Sequence, residues 1–230
     1  MDVWLAQLDR FDVSVGKDLL DATERQRAAR FVRAEDARRF IARRAIAKLI
    51  LSDYAGRPAD EISFDTTCRH CGDDHGKPSL TAHPRLDFSW TSRDDVLLLA
   101  VALDRRVGID IEGVDESSSD WRDVAEEALG DRELAALAAM PESDQRRAAL
   151  RAWSAKEALL KAVGLGLAWD LKSLEVTVAP STAAPRLVGG MPPSSGEHWS
   201  LREVSAGPSH VAMLAVSGPP PDVVERPFEA

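Results

Sequence analysis

Three carboxylates and two lysines stand out in this chain, because their spacing fixes the direction in which each side chain points. Gly108-Ile109-Asp110-Ile111-Glu112 alternates acids with isoleucines. On a strand Asp110 and Glu112 share one face, while Ile109 and Ile111 turn into the core. Their Cα atoms would lie roughly 6.5 to 7 Å apart, within reach of one cation. In the stretch Trp153-Ser154-Ala155-Lys156-Glu157, running on to Lys161, Glu157 and Lys161 are four residues apart and share one face of a helix. Two strand acids and a helix acid suit a hard divalent ion such as Mg2+, and a neighbouring lysine suits the charge that develops during phosphoryl transfer. The plainer alternative for Asp110 and Glu112 is a pair of surface carboxylates on an edge strand. Strands disfavour Asp, however, and like charges on one face repel, so without a cation or basic partner the arrangement costs stability. Lys156, Glu157 and Lys161 alone would pass for a solvated helix face. Trp153, Leu159, Leu160 and Val163 around them put them instead at the edge of a buried stripe, where charge is less screened.

These residues need a strand and a long helix to carry them. Hydrophobic periodicity predicts a first strand over 2–8, with Trp4 and Leu8 in the core, helices over 22–31 and 35–54, and a stop at Gly56-Arg57-Pro58. A strand at 62–65 and an irregular stretch through Gly76-Lys77-Pro78 follow. Paired strands are expected near 88–91 and 96–103, turning at 92–95, then the acidic strand at 107–112. After a Ser/Asp-rich loop at 115–120, helices are expected near 121–129, 131–139 and 143–163, the last closed by Gly164. Strands then recur near 173–178, 186–188, 198–204 and 210–216. The halves echo one another: Ile62-Ser63-Phe64, Pro78-Ser79-Leu80 and 97–101 resemble Leu174-Glu175-Val176, Pro185-Arg186-Leu187 and 213–216, each set behind a long helix. The expected fold is α+β: two pseudo-symmetric α/β halves, 1–104 and 105–217, each a small antiparallel-rich sheet packed by a long helix, with the active site in the cleft between them. Residues 218–230, with Pro219-Pro220-Pro221, are expected as a loose tail.

At 230 residues, 44% hydrophobic and 29% charged, the composition is globular. No apolar run approaches the roughly 18 to 20 residues of a membrane span and no leader pattern opens the chain, so the expectation is a cytoplasmic protein without membrane association. A net charge of −9 argues against a chain-wide nucleic-acid binder. Yet residues 21–50 hold nine Lys and Arg against four Asp and Glu, whereas acids dominate 108–144. One half could hold a polyanion and the other a cation that bridges to it. Cys68 and Cys71 are too few and too close for a secreted disulfide framework.

Gly-Ile-Asp-Ile-Glu, followed about forty residues later by Trp-Ser-Ala-Lys-Glu-Ala-Leu-Leu-Lys, resembles the 4′-phosphopantetheinyl transferases, specifically the larger surfactin-synthetase type. The likeness extends to Ala29-Arg30-Phe31 with Glu35-Asp36-Ala37-Arg38-Arg39, to Gly76-Lys77-Pro78 and to Gly164-Leu165-Gly166-Leu167, covering roughly 2–217. It implies Asp110, Glu112 and Glu157 as ligands of Mg2+ (or Mn2+), with coenzyme A as substrate. It implies that Glu157, or a water it orients, takes the proton of a serine on an acyl or peptidyl carrier protein. The serine would attack the β-phosphate and 3′,5′-ADP would leave, with Lys161 against the phosphates. Lys156 is implied either in packing or in phosphate contact. His75, Gly76, Lys77 and Pro78 would hold the adenosine end, and Arg39 and Arg44 would reach the 3′-phosphate. The type serves polyketide, nonribosomal peptide or siderophore pathways, commonly as a monomer. Its docking patch for an acidic carrier would fall on Trp121, Leu129 and the 116–140 segment by position.

One departure matters. Where many members carry Phe-Asn-x-Ser-His-Ser, this chain has Phe88-Ser89-Trp90-Thr91-Ser92-Arg93, with Ser92 in place of the histidine. Arg93 could supply the phosphate charge, and Thr91 and Ser92 hydroxyl donors. Cys68-Arg69-His70-Cys71 with His75 is half a metal knuckle plus a third ligand, but no second Cys/His pair follows at the usual spacing, which favours reduced loop cysteines over zinc. Two rival functions remain: a homologue that binds coenzyme A without catalysis, and a nucleic-acid binder using the arginine-rich helix at 25–48, which the net charge and the lack of an aromatic series oppose.

Overall fold

Two strands in the chain are apolar on both faces, and that requires layers on both sides of each. The computed structural model describes residues 1–68, 71–114, 121–165, 169–180, 183–191 and 198–229. Arg69 and His70, the loop at 115–120, and Gly166 and Leu167 lie outside the described residues. The first half contains β1 (Asp2–Gln7), α1 (Val13–Leu19), α2 (Ala22–Ala29), α3 (Ala34–Ala55), β2 (Asp65–Thr67), β3 (Asp74–Ser79), β4 (Leu86–Arg93) and β5 (Val96–Leu103). The second contains β6 (Val107–Gly113), α4 (Trp121–Ala128), α5 (Asp131–Ala138), α6 (Glu142–Val163), β7 (Glu175–Val176), β8 (Leu187–Gly189), β9 (Trp199–Glu203) and β10 (His210–Ser217), with β11 (Val224–Pro227) beyond it.

β5 is one of the doubly apolar strands. Leu97, Leu99 and Val101 face α3, while Leu98, Ala100 and Ala102 meet Ile109, Ile111 and Leu214 of the other sheet. β10 is the other, with Val211, Met213 and Ala215 toward α6 and Ala212, Leu214 and Val216 toward the first sheet. The result is helix, sheet, sheet, helix. Each fully buried leucine in such a stack contributes about 1.5 to 3 kcal/mol. The fold is α+β with small antiparallel-rich sheets, as expected from the sequence. The sheets run β11-β1-β5-β4 and β6-β10-β9, so in each half the first strand pairs antiparallel with the last, and the last with its hairpin partner. Each half also has a two-stranded ribbon, β2-β3 or β7-β8. Both long helices close on a left-handed glycine, Gly56 (φ 62°) and Gly164 (φ 77°).

Side chains from β4 join the halves. β6 is an edge strand, and two of its outward N–H groups are taken up by side chains: Val107 N–H donates to Asp87 Oδ2 (2.8 Å) and Ile109 N–H to Ser89 Oγ (3.2 Å). Lys77 Nζ bonds Asp87 (2.5 Å), Val107 O (2.9 Å) and Ala162 O (3.3 Å), tying the first half to β6 and α6.

Several expectations change. The segment expected as a loose tail forms β11, parallel to β1, with Phe228 against the first core, because β1 otherwise presents an open edge. α1 is an additional helix, capped by Asp12, whose carboxylate accepts from Ser14 N–H. The strand expected at 62–65 starts at Asp65, since Ile62 is an anchor under α3 that follows a 3-10 turn at Ala59–Glu61. The irregular stretch around Gly76 is strand β3; a Cβ on Gly76 would lie 2.6 Å from Thr67 O, so only glycine lets β2 and β3 pair there. Among the described residues no helix is long and apolar enough to cross a membrane.

Candidate active site

The face of β6 toward α6 carries Gly108, Asp110 and Glu112, while Val107, Ile109 and Ile111 fill the layer between the sheets. Gly108 sets how closely the helix approaches. A Cβ there would lie 1.9 Å from Ala158 O and 2.5 Å from Ala162 N, so α6 crosses directly over it. That crossing brings Lys161 onto Asp110, with Nζ 2.5 Å from Oδ1. The Thr91 hydroxyl, from β4 of the other half, donates to the same Oδ1 at 3.4 Å. Glu112 accepts from Trp153 Nε1 through Oε1 (3.0 Å) and lies 3.5 Å from Arg93 through Oε2.

The acids are under-compensated. Asp110 Oδ2 and Glu157 Oε1 are buried and have no hydrogen-bond partner. Burial pushes the Glu157 carboxyl above the usual glutamate range and the charge of Asp110 adds to it, with Lys161 pulling the other way. Glu112 is raised for the same two reasons, against the hydrogen bond from Trp153. Two orphaned oxygens among mutually repelling carboxylates fit a hard cation, which would satisfy both and remove the repulsion. The oxygens are not drawn to coordination spacing: among the described residues the one trio of such ligand atoms within 4.8 Å of each other is Cys68, Cys71 and His75.

Next to the acids lies a cavity of about 410 Å3 lined by Arg27, Arg43, Arg44, Thr66, His75, Gly76, Pro78, Trp90, Thr91, Ser92 and Lys161. The Arg44 guanidinium sits over Trp90 (5.0 Å), Phe64 (5.4 Å) and Phe40 (5.6 Å). Arg43 Nη1 donates to Ser92 Oγ (3.1 Å), at the position where the resembled motif has histidine. Burial, followed by repulsion from Arg44 and Arg27, brings Arg43 down to about 10, and its Nε is buried without a partner. Glu24 meets Arg44 at 3.7 Å, and the repulsion that lowers Arg43 would be relieved further by an anion in the cavity. Arg27 and Arg43 escaped the sequence reading. The signal for Arg43 was Phe40, three residues before it on the same helix face, whereas Arg27 comes from α2 and had no such spacing to mark it.

Not every expected residue lies in the cavity. Arg39 is held by Asp95 (3.0 and 3.1 Å) at the β4–β5 turn, away from the cavity lining. Lys77 is committed to the seam, so the expected adenosine contact does not come from its ammonium group. Lys156 is fully buried on Glu133 (2.5 Å), Ala128 O and Leu171 O, which leaves packing, not phosphate contact, as its role. Arg93 turns to Glu112 rather than to the cavity. Trp121 and Leu129 lie in the second core, so neither offers a docking surface; residues 116–120 of that segment lie outside the described residues.

Comparison with known proteins identifies the family. A family model described as the 4′-phosphopantetheinyl transferase superfamily matches residues 106–214. The chain is 32% identical to the 4′-phosphopantetheinyl transferase HetI of Nostoc sp. over 94% of its own length and 87% of that protein. It is 29% identical to the 4′-phosphopantetheinyl transferase psf-1 of Bacillus pumilus over 68% of this chain and 63% of the relative. It is also 29% identical to the L-aminoadipate-semialdehyde dehydrogenase-phosphopantetheinyl transferase of Xenopus laevis over 69% of this chain, spanning about half (54%) of that longer protein. A solved holo-(acyl-carrier-protein) synthase from Bacillus anthracis aligns with 49% of this chain and 94% of its own at 21% identity and a TM-score of 0.40. Likeness to HetI along nearly the whole of both chains, with the family model lying on the half that carries Asp110, Glu112, Glu157 and Lys161, makes this chain a member of the 4′-phosphopantetheinyl transferase superfamily.

Proposed function

We propose that the protein moves the 4′-phosphopantetheine group of coenzyme A onto a serine of an acyl or peptidyl carrier protein, with Mg2+ as cofactor and 3′,5′-ADP as the second product. The observation that carries this reading is continuity between the cationic cavity and the acidic cluster: Thr91 and Lys161 line the first and both bond Asp110 of the second. A ligand with phosphates at both ends of such a space would meet Arg27, Arg43 and Arg44 at one end and Lys161 at the other. Asp110, Glu112 and Glu157 would hold Mg2+, which when bound neutralises diphosphate charge and polarises the phosphorus.

The chain's own residues supply the remainder. The serine oxygen forms a bond to the β-phosphorus as the bond from that phosphorus to the bridging oxygen breaks, and the bridging oxygen leaves with the electron pair as part of 3′,5′-ADP. The serine proton passes to Glu157 or to a water that it orients. Lys161 stands beside Asp110, where its ammonium group meets charge growing on the leaving oxygen. Arg43 and Ser92 take the place of the histidine in the resembled motif.

The test is to incubate the protein with coenzyme A, Mg2+ and a panel of apo carrier proteins, and to follow intact mass and 3′,5′-ADP release. The expected result is one phosphopantetheine added to the carrier with an equal amount of 3′,5′-ADP, both lost on chelation and in Asp110→Ala. Tight coenzyme A binding with no mass gain on any carrier would instead identify a homologue that binds without transfer.

A further inference from the structure

We infer that Cys68, Cys71 and His75 form a zinc site that fastens the β2–β3 connection to the wall of the cationic cavity. The two sulfurs and a ring nitrogen lie within 4.8 Å of each other, and Cys71 Sγ is 2.9 Å from His75 Nε2. Tetrahedral ligands at ordinary Zn–S and Zn–N bond lengths stand about 3.5 Å apart, so small side-chain rotations complete the site.

The described backbone brings Cys68 and the Gly72–Asp73 segment together. Gly72 N–H donates to Cys68 O (2.8 Å), Cys68 N–H donates to Asp73 O (2.7 Å), and Gly72 adopts a φ of 84°, a left-handed conformation that favours glycine. The Asp73 backbone N–H donates to the Cys71 sulfur, while burial and the Cys68 and Asp73 side chains leave the thiol raised overall, a repulsion that a cation between them would remove. Sequence spacing argued for free thiols because no second Cys/His pair follows. The structure brings His75, the third ligand the spacing offered, onto Cys71 by placing it at the start of β3. The fourth position falls to solvent or to the Asp73 carboxylate, which also contacts Cys71.

The consequence concerns the cavity. His75, Gly76 and Pro78 form one of its walls, and His75 would be a zinc ligand at the same time. A metal here would hold that wall in place without entering the transfer chemistry.

Metal content tests this independently of transferase activity. The full-length protein, purified under reducing conditions and dialysed free of loose metal, is expected to retain one zinc per chain by elemental analysis. Exchange with Co2+ should give a thiolate-to-cobalt charge-transfer band. Cys71→Ser should lose both the zinc and the band while keeping the wild-type circular dichroism, and His75→Gln should hold Co2+ more weakly. The inference is overturned by wild-type protein that retains no zinc and shows no charge-transfer band with Co2+. An intact mass reporting a Cys68–Cys71 disulfide in the freshly purified protein would overturn it equally.

Discussion

The two halves share a skeleton down to one buried ion pair, and they part at the residue beside it. α3 and α6 are both 22 residues long. Lys48 lies fourteen residues after Ala34 and Lys156 fourteen after Glu142, and each is fully buried on a first-turn glutamate that accepts from its N-cap N–H: Glu24 of α2 (2.8 Å), on Asp21, and Glu133 of α5 (2.5 Å), on Gly130. Each lysine also bonds a carbonyl near the end of the preceding helix, Leu19 O or Ala128 O. The next residue is Leu49 in the first half and Glu157 in the second; five residues after the lysine stand Asp53, exposed, and Lys161, on Asp110. The helix-facing row of the first strand differs in the same way, with Trp4 and Ala6 in one half and Asp110 and Glu112 in the other. The buried pair belongs to the scaffold. The proposed chemistry lies where one half abandons the apolar pattern the other keeps.

The sharpest way to break this comparison is Glu157→Leu, which copies the residue at Leu49. It should lower kcat about 10²- to 10³-fold, the usual loss when one preorganised polar group is removed from a transition state. The melting temperature should hold or rise, because an unpaired buried carboxylate is lost. Full turnover in this variant would mean the acid row is not the site of chemistry. Next in size, Lys156→Ala should destabilise the fold by about 3 to 5 kcal/mol, since it takes the cation from buried Glu133, and Lys48→Ala by less, because Arg44 still lies 3.7 Å from Glu24. Urea unfolding of both variants would show whether the two pairs are equivalent; a large loss in one and none in the other would undo the equivalence.

Arg43→Ala should raise the KM for coenzyme A about 10- to 100-fold, as expected from losing a charge-assisted contact of about 1.5 to 3 kcal/mol. Its kcat should change little, because Arg43 lies on the cavity rather than at the acids. Steady-state kinetics separate the two constants.

The smallest effect is on pH. Glu112 and Glu157 have pKa values raised above the ordinary 4.5, so their folded forms prefer the proton. Metal-free protein should therefore lose stability as pH rises from about 4.5 through the raised values, and Mg2+ should reverse that loss at neutral pH. In the first half Asp95 behaves oppositely. Its hydrogen bond from Arg39 holds it below 3.8, so its stabilisation is present above 3.8 and is lost as pH falls through the lowered value. Thermal melts across pH with and without Mg2+ would resolve the two slopes. A neutral-pH melting temperature indifferent to Mg2+ would count against a cation at the acids.

Much of this was legible in residue order. Period-two alternation in 107–113 and four-residue spacing in α6 depend only on local geometry, so the directions of Asp110, Glu112, Glu157 and Lys161 followed without a partner in view. The apolar runs of β5 and β10 showed strands, and Gly56 and Gly164 marked the helix ends. Lys156 and Lys77 were less legible. A lysine next to a candidate catalytic acid and one in a Gly-Lys-Pro loop both look like phosphate contacts until Glu133, Asp87 and four backbone carbonyls are brought around them from distant parts of the chain.

The order of residues thus determined which side chains could do chemistry and on what elements they ride, because strand and helix periods are local properties. Tertiary structure alone decided which cations line the cavity, which carboxylate oxygens lack a partner, and that β11 covers the edge of β1. Those outcomes depend on desolvation and on pairing between groups far apart in the chain, and neither exists until the layers close.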